Sequence, residues 1–304
     1  MRYLLVVTIF AMYVAKKIIM IEDNYTIIKK DLCKIADMLL LNGTLTTCPG
    51  LICGKMGIAI FFFHYAQYTG NVLFADYAMS LIEKIQNQIH TNSPTDYRKG
   101  LAGIGLGVNY LIQNNFLDVE SDVFEDLDRK ITQTMVNGDW SDYSKYDGLI
   151  GYGRYWISRL QYKIPSTQAR ECLFYITELI DRKLSKIPVE EQADVYSFLY
   201  DLPKKSNFGN SIDLLERCKV LVDINKSFSH LGNSAIGRIA HQYQCSKYLN
   251  NALFKKNVLT FKQVPKMNME ESPIAMGILS GYAGEGMLRL TALQQINNSW
   301  IYLL

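Results

Sequence analysis

A glycine-rich pattern that recurs about every fifty residues is the feature that most constrains this fold. In its fullest form the pattern has glycines at offsets zero, four and seven, and looser copies keep only some of them. Its five copies begin at Gly50, Gly100, Gly148, His230 and Gly277, so the intervals are 50, 48, 82 and 47 residues. A recurring unit of this length is typical of repeat architectures. The long interval leaves room for a unit whose glycines have been lost.

The segments that follow each glycine cluster have helical patterns of two kinds. Residues 58–68, "IAIFFFHYAQY", are apolar on nearly every side, which predicts a helix buried all round. Residues 72–90 carry one apolar stripe, which predicts an outer helix buried on one face. No segment shows convincing β-alternation. Each unit is therefore a glycine-rich turn, an inner helix, a short break and an outer helix.

Repeated helical hairpins of this kind stack into an open solenoid or close into a ring. The nearly constant unit and the five or six visible pairs favour closure. We therefore predict an all-α fold, an α/α toroid of helical hairpins with a glycine-rich turn before each inner helix, formed as one domain by residues 20–304. Glycine suits these turns because converging backbones can approach without Cβ atoms between them.

The stretch "CPGLICGKMG", residues 48–57, has two chemical interpretations besides a structural turn. A phosphate-binding loop needs four residues between its glycine and Gly-Lys, followed by Ser or Thr, whereas three intervene here and Met56 follows. Cys48 and Cys53 lack the two-residue spacing of a zinc knuckle. The cysteines do not recur in the other units but the glycines do, which indicates a structural turn.

The apolar run "YLLVVTIFAMYVA", residues 3–15, sits in an N-terminal segment, 1–19, outside the repeat. As a helix it would span about 20 Å, short of the roughly 30 Å of a bilayer core. It is an uncleaved anchor, a buried first helix, or sequence upstream of a true start at Met20. We favour the last interpretation, since the sequence from Met20 reads as an ordinary amphipathic helix. We accordingly predict that the protein is cytoplasmic, with membrane association through residues 3–15 as the alternative.

Charge and cysteine content exclude some classes of function. The formal net charge is +3 and the basic residues are scattered, so nothing indicates a nucleic-acid partner. Six cysteines without regular spacing in 304 residues do not form a disulfide framework. A reducing compartment is the simpler expectation.

Five glycine clusters in order, each ahead of an apolar helix, resemble the lanthionine synthetase C-like (lanthionine cyclase-like) family. The resemblance runs from about Thr46 onward and is clearest in "GLAGIGLGVNYLIQN", "YDGLIGYGRYWISRL" and "GILSGYAGEGMLRLTAL". Among family members the chain looks similar to the divergent bacterial branch found near peptide-maturation genes. The resemblance implies an α/α toroid that closes thioether rings in ribosomal peptides, with a zinc held by two cysteines and one histidine activating the substrate thiol.

The zinc-ligand motifs of that family are missing from this sequence. No cysteine is followed by histidine, and none of the three tryptophans has a cysteine beside it. His241 and Cys245, at i and i+4 on a predicted inner helix, are weak candidates for a metal pair. We therefore expect no cofactor, with zinc as the alternative, and whether the chain is an enzyme stays open.

The glycine turns meet at one end of a closed toroid, which is where we expect a cleft. His230, Asn233, Tyr282 and Glu285 are the candidates there. Glu285 and Arg289 also form a helical i, i+4 pair, for which a surface ion pair is the plainer interpretation.

These observations favour a zinc-free peptide-binding or accessory member of the family in ribosomal peptide modification, with a precursor peptide and a maturation enzyme as partners. One alternative is an active cyclase with a non-standard metal site. Another is a carbohydrate-active toroid enzyme, for which Asp139, Asp142 and Asp147 would be the carboxylates, although aspartate beside glycine is ordinary turn chemistry.

Overall fold

The structure is a computed structural model that describes residues 24–162, 166–202, 208, 211–223, 225–250 and 275–304. All regular elements within these ranges are helices, and none is a strand. The α-helices are α1 (24–42), α2 (Lys55–Thr69), α3 (Val72–Gln88), α4 (Leu101–Gln113), α5 (Glu125–Asn137), α6 (Leu149–Leu160), α7 (Thr167–Lys183), α8 (Val189–Asp201), α9 (Ser211–Leu221), α10 (Ala235–Tyr248) and α11 (Tyr282–Ala292).

Six helices form an inner ring that closes on itself. In the order α2, α4, α6, α8, α10 and α11, each helix packs against the next, and α11 packs against α2. Helices α3, α5, α7 and α9 pack outside α2, α4, α6 and α8. The predicted α/α toroid is therefore confirmed.

The burial of α2 and α3 shows why their sequences differ. In α2 every residue from Lys55 to Ala66 is buried, because the helix has neighbours on all sides. In α3 the fully buried positions are Ala78, Leu81 and Ile85, which recur at helical spacing. Periodicity thus separates the inner from the outer layer.

Helix α1 is a further outer helix. Leu32, Ile35 and Leu39 are completely buried, as the stripe in the sequence after Met20 predicts. The hydroxyl of Tyr77 in α3 donates to the Leu39 carbonyl oxygen at 3.1 Å. The segment 1–19, including the apolar run 3–15, lies outside the described residues. Across the described part of the chain, no helix combines the length and apolarity that a membrane crossing requires.

The long interval between the third and fourth glycine clusters holds a pair that lacks the glycine turn. Helix α8 is its inner helix, packed between α6 and α10, and α9 is its outer helix. Pro188 precedes α8 where glycine precedes α2, α4, α6 and α11. A helical hairpin can therefore take its place in the ring without a glycine cluster before its inner helix.

The glycines that precede the inner helices are required for space rather than for backbone conformation. Gly54, Gly100, Gly148 and Gly281 have extended backbones that any residue can adopt. A Cβ on Gly54, however, would lie 2.4 Å from the Cys48 carbonyl oxygen. The predicted close approach is correct, although in most units the crowding backbone belongs to the same turn.

Candidate functional site

Backbone hydrogen bonds join neighbouring glycine turns at one end of the toroid, which we call the loop end. The Ile52 N–H donates to the Arg98 carbonyl at 3.2 Å, and the Arg98 N–H donates to the Tyr146 carbonyl at 3.1 Å. The Ile278 N–H donates to the Ile52 carbonyl at 3.0 Å. The turns of four units are thereby held in one band around the ring.

The unit without glycines replaces this backbone contact with carboxylates from α8. Glu191 accepts a hydrogen bond from the Tyr143 N–H at 2.7 Å. Asp194 accepts one from the Lys145 N–H at 2.9 Å and is only 2% exposed. The α8 unit has no glycine turn, so the side chains of Glu191 and Asp194 make the hydrogen bonds to the neighbouring turn instead.

His230 reaches the same carboxylate from the next unit. Its Nδ1 lies 3.3 Å from Asp194 Oδ2, and its ring meets the Tyr146 ring edge-on with centroids 4.7 Å apart. Burial lowers the pKa of His230, and the negative charge of Asp194 opposes that shift. A neutral imidazole beside the Asp194 carboxylate is therefore the form that burial favours.

Close to His230 and Asp194, three more hydrogen-bond donors bind the backbone carbonyls of residues 302–304. Lys145 Nζ donates to the Tyr302 carbonyl at 3.2 Å, and the Tyr97 and Tyr146 hydroxyls donate to the Leu303 and Leu304 carbonyls at 2.8 and 3.0 Å. Burial lowers the pKa of Lys145 well below its usual value. We call Tyr97, Lys145, Tyr146, Asp194 and His230 the hub.

The four residues of the predicted cleft are placed differently from one another. His230 belongs to the hub, Asn233 is exposed, and Tyr282 is buried in the first turn of α11. Glu285 pairs with Arg289, which also lies 3.3 Å from Asp31 of α1. No hydrogen bond or ion pair between described residues joins any two of the four, so a cleft formed by them stays a prediction. The Glu285–Arg289 pair is more buried than a surface pair, since Arg289 is fully buried.

The weak metal candidates His241 and Cys245 do lie close together on α10. Cys245 Sγ is 3.7 Å from His241 Nε2, but that nitrogen is also 3.1 Å from the Ser227 carbonyl, to which it must donate a proton. Burial raises the pKa of the Cys245 thiol to about 11. Within the described ranges no group of three or more His, Cys, Asp or Glu side chains is placed to hold a metal ion. The His241–Cys245 pair has no third described ligand beside it and therefore does not fit the usual protein sites for zinc.

The three aspartates of the carbohydrate alternative have separate contacts. Asp147 pairs with Arg98 at 2.7 Å, and Asp142 accepts from the Ser144 N–H two residues on. Asp139 is exposed, 3.7 Å from Lys183. These are contacts of turn residues and of ion pairs between neighbouring segments.

Sequence reasoning missed Lys145 and Asp194, although a signal was present. The two residues are 49 positions apart, which is one repeat. Residues at the same phase of successive units become neighbours in a ring, so the repeat length itself identifies such pairs.

The comparisons with known proteins agree with this architecture. A family model described as "Lanthionine synthetase C-like protein" matches residues 46–209, more than half of the chain. Among solved structures, "Nisin cyclase" matches with a TM-score of 0.51 and 13% sequence identity, over 91% of this chain and 97% of that one. At that identity the likeness concerns the fold alone. No curated protein matches at the sequence level.

Proposed function

Because the chain belongs to the lanthionine synthetase C-like family, we propose that it is a zinc-free member that binds a peptide, or assists its modification, in ribosomal peptide maturation. The observation that carries this proposal is the combination of the family's toroid with a histidine–cysteine pair that does not fit zinc. The chain's partners would be a precursor peptide and the maturation enzyme that acts on it.

The hub supports the peptide part of the proposal. Its lysine and two tyrosines donate to three successive backbone carbonyls, those of Tyr302, Leu303 and Leu304. Residues 298–303 form a 3-10 helix, so the hub donors bind polypeptide backbone at the end of a helical turn. The inner surface of this toroid is therefore chemically suited to polypeptide backbone.

A cytoplasmic location fits the same role. All six cysteines are unpaired, as expected in a reducing compartment. A ribosomal precursor would meet the protein there before export.

Zinc content and thiol chemistry test the proposal directly. We expect the full chain, purified with added zinc and then dialysed, to hold far less than one zinc per chain. We also expect a synthetic peptide with one dehydroalanine and one cysteine to lose its free thiol no faster than in buffer. Stoichiometric zinc that disappears in the His241→Ala/Cys245→Ala double variant would overturn the zinc-free part.

Fluorescence anisotropy tests peptide binding with the same dehydroalanine peptide, labelled at its amino end. We expect saturable binding that an unlabelled copy competes away. Binding that never saturates, or that a scrambled peptide without dehydroalanine matches fully, would contradict a role in peptide modification.

A further inference from the structure

A cavity of about 330 Å³ lies between the C-terminal ends of the inner helices. Its walls include the last turns of α4 and α6, Asp201 at the end of α8, and Lys247 near the end of α10. The glycine turns stand at the N-terminal ends of these helices, so the cavity opens at the other end of the ring, and Tyr302 and Leu303 lie between it and the hub. Its size falls at the small end of the roughly 300–1,000 Å³ range of small-molecule sites.

Two cations share one carboxylate in the wall of this cavity. Arg154 Nη1 lies 2.5 Å from Asp201 Oδ2, and Lys247 Nζ lies 2.8 Å from Asp201 Oδ1. Burial raises the pKa of Asp201, but the two cations outweigh it and bring that pKa below its usual value. The carboxylate is therefore ionised. Burial lowers the pKa of Lys247 and the Asp201 carboxylate opposes that shift. With Lys247 and Arg154 charged, the three side chains carry one net positive charge. An anion in the cavity would balance that charge.

Two buried polar atoms in the same wall have no hydrogen-bond partner among the described residues. One is Arg154 Nε, a donor, and the other is Asn109 Oδ1, an acceptor. Asn109 is 2% exposed, and its Nδ2 already donates to the Ser158 carbonyl at 3.1 Å. Buried groups left unpaired are costly, so a ligand that accepts from Arg154 and donates to Asn109 would be stabilised.

The remaining walls are apolar inside and polar at the rim. Leu106, Ile157 and Leu303 line the interior. Gln113 and Gln161 at the rim are exposed, so the cavity is open to solvent there. The ligand that fits has a carboxylate, a neighbouring N–H and an apolar group. A phosphate supplies neither of the last two.

We infer that this cavity binds a small N-acylated amino acid with an apolar side chain, through its carboxylate and its amide N–H. The same chemistry is offered by a free N-acyl amino acid and by the carboxyl-terminal residue of a peptide. The inference stands on the cavity alone and does not rest on the proposed function.

Isothermal titration of the full chain with matched ligands tests the inference. N-acetyl-leucine should bind with a Kd of about 1 mM or below. N-acetyl-leucinamide, which lacks the charge, should bind at least ~10-fold more weakly, and 4-methylpentanoate, which lacks the N–H, about 3-fold to 10-fold more weakly. A pentapeptide ending in leucine that binds as well as N-acetyl-leucine identifies a peptide terminus as the ligand, and one that fails to bind identifies the free acid.

Three results would overturn the inference: no saturable heat with N-acetyl-leucine, equal binding of its amide, or tighter binding of inorganic phosphate. Because these comparisons use the unaltered protein, they do not depend on any variant folding. They are also separate from the zinc and thiol tests above.

Variants locate the binding within the molecule. Lys247→Met should weaken N-acetyl-leucine binding at least ~10-fold, because a hydrogen bond to a charged group is lost. Lys219→Met removes the same charge from the exposed surface of α9 and should leave binding unchanged. Asn109→Leu should abolish the preference for N-acetyl-leucine over 4-methylpentanoate. Equal effects of the two lysine variants, with both proteins folded by thermal melting, would place the ligand elsewhere.

Discussion

The two ends of the toroid solve the same packing problem in different ways. At the loop end, glycine turns touch through their backbones, and the space inside them is filled by the hub and by residues 302–304. At the opposite end, the inner helices are separated by long polar side chains such as Arg154 and Lys247, and a cavity remains. The glycines therefore allow close packing only at the end of the toroid at which they lie. Stability should therefore be concentrated at the loop end and ligand binding at the other.

The largest expected effect is that of adding a methyl group at the loop end. A Cβ on Gly103 would lie 1.9 Å from the Tyr97 carbonyl oxygen. We expect Gly103→Ala to lower the free energy of unfolding by about 3 kcal/mol, because this overpacking exceeds the ~1 kcal/mol gain in helix propensity. Urea denaturation measures the loss.

Gly70 at the far end of α2 is the matched control. It has a φ of +69° and no atom within 4 Å of an added Cβ, so Gly70→Ala should cost only about 1 kcal/mol of left-handed strain. If Gly103→Ala and Gly70→Ala lowered the free energy of unfolding equally, the two ends would not differ in how tightly their backbones pack.

A smaller effect is expected from acid, and it should arise mainly at the cavity end. Burial lowers the pKa of His64 in α2 from 6.5 to about 4, and its Nε2 lies 2.8 Å from the Tyr110 hydroxyl. Because the folded-state pKa is depressed, the unfolded chain binds the proton first and stability is lost as the pH falls below 6.5. We expect about 2 kcal/mol of the free energy of unfolding to be lost from this group between pH 7 and pH 5.

His64→Gln should remove most of this acid sensitivity, since glutamine can still bond to Tyr110 without titrating. His230→Gln should remove less, because Asp194 opposes the effect of burial on the His230 pKa. Urea denaturation of both variants at each pH measures the difference. If the His230 variant proved the less acid-sensitive of the two, this account of the ends would be wrong.

Removing single hydroxyl groups at the two ends should change stability least. Tyr97→Phe removes a fully buried hydrogen bond to the Leu303 carbonyl and should lower the free energy of unfolding by about 1 kcal/mol. Tyr302→Phe removes a hydroxyl from a side chain that is 43% exposed, where water replaces the Tyr243 contact, and should cost less than ~0.5 kcal/mol. Thermal denaturation followed by circular dichroism separates the two.

The ring could be predicted from the sequence because the pattern that marks its inner helices is local and recurs along the chain. Glycine clusters followed by apolar helices identify α2, α4, α6 and α11 one by one, and the family resemblance agrees with them. Helix α8 has no such mark, because Glu191 and Asp194 provide by side chain what the other units provide by backbone. A carboxylate in this role looks like any helix carboxylate until its partners are known.

The sequence spacing of the charged cavity residues also indicates which of them are neighbours, although the sequence analysis did not use it. Arg154 and Asp201 are 47 residues apart, and Asp201 and Lys247 are 46 apart, close to the repeat length. Opposite charges at the same phase of successive units therefore predict contacts between neighbouring inner helices. The contacts of residues 302–304 at the hub could not be predicted in this way, because that segment lies outside the repeat.

Packing of α11 against α2 has a consequence for how the protein is made. An open stack of hairpins can acquire its structure progressively as it is synthesised, but here α2 packs against a helix that is synthesised much later in the chain. The Tyr97 hydroxyl likewise meets a carbonyl 206 positions later. Nascent chains on the ribosome should therefore expose an apolar face of α2 until α11 has been synthesised, and chaperones bind such exposed apolar surface.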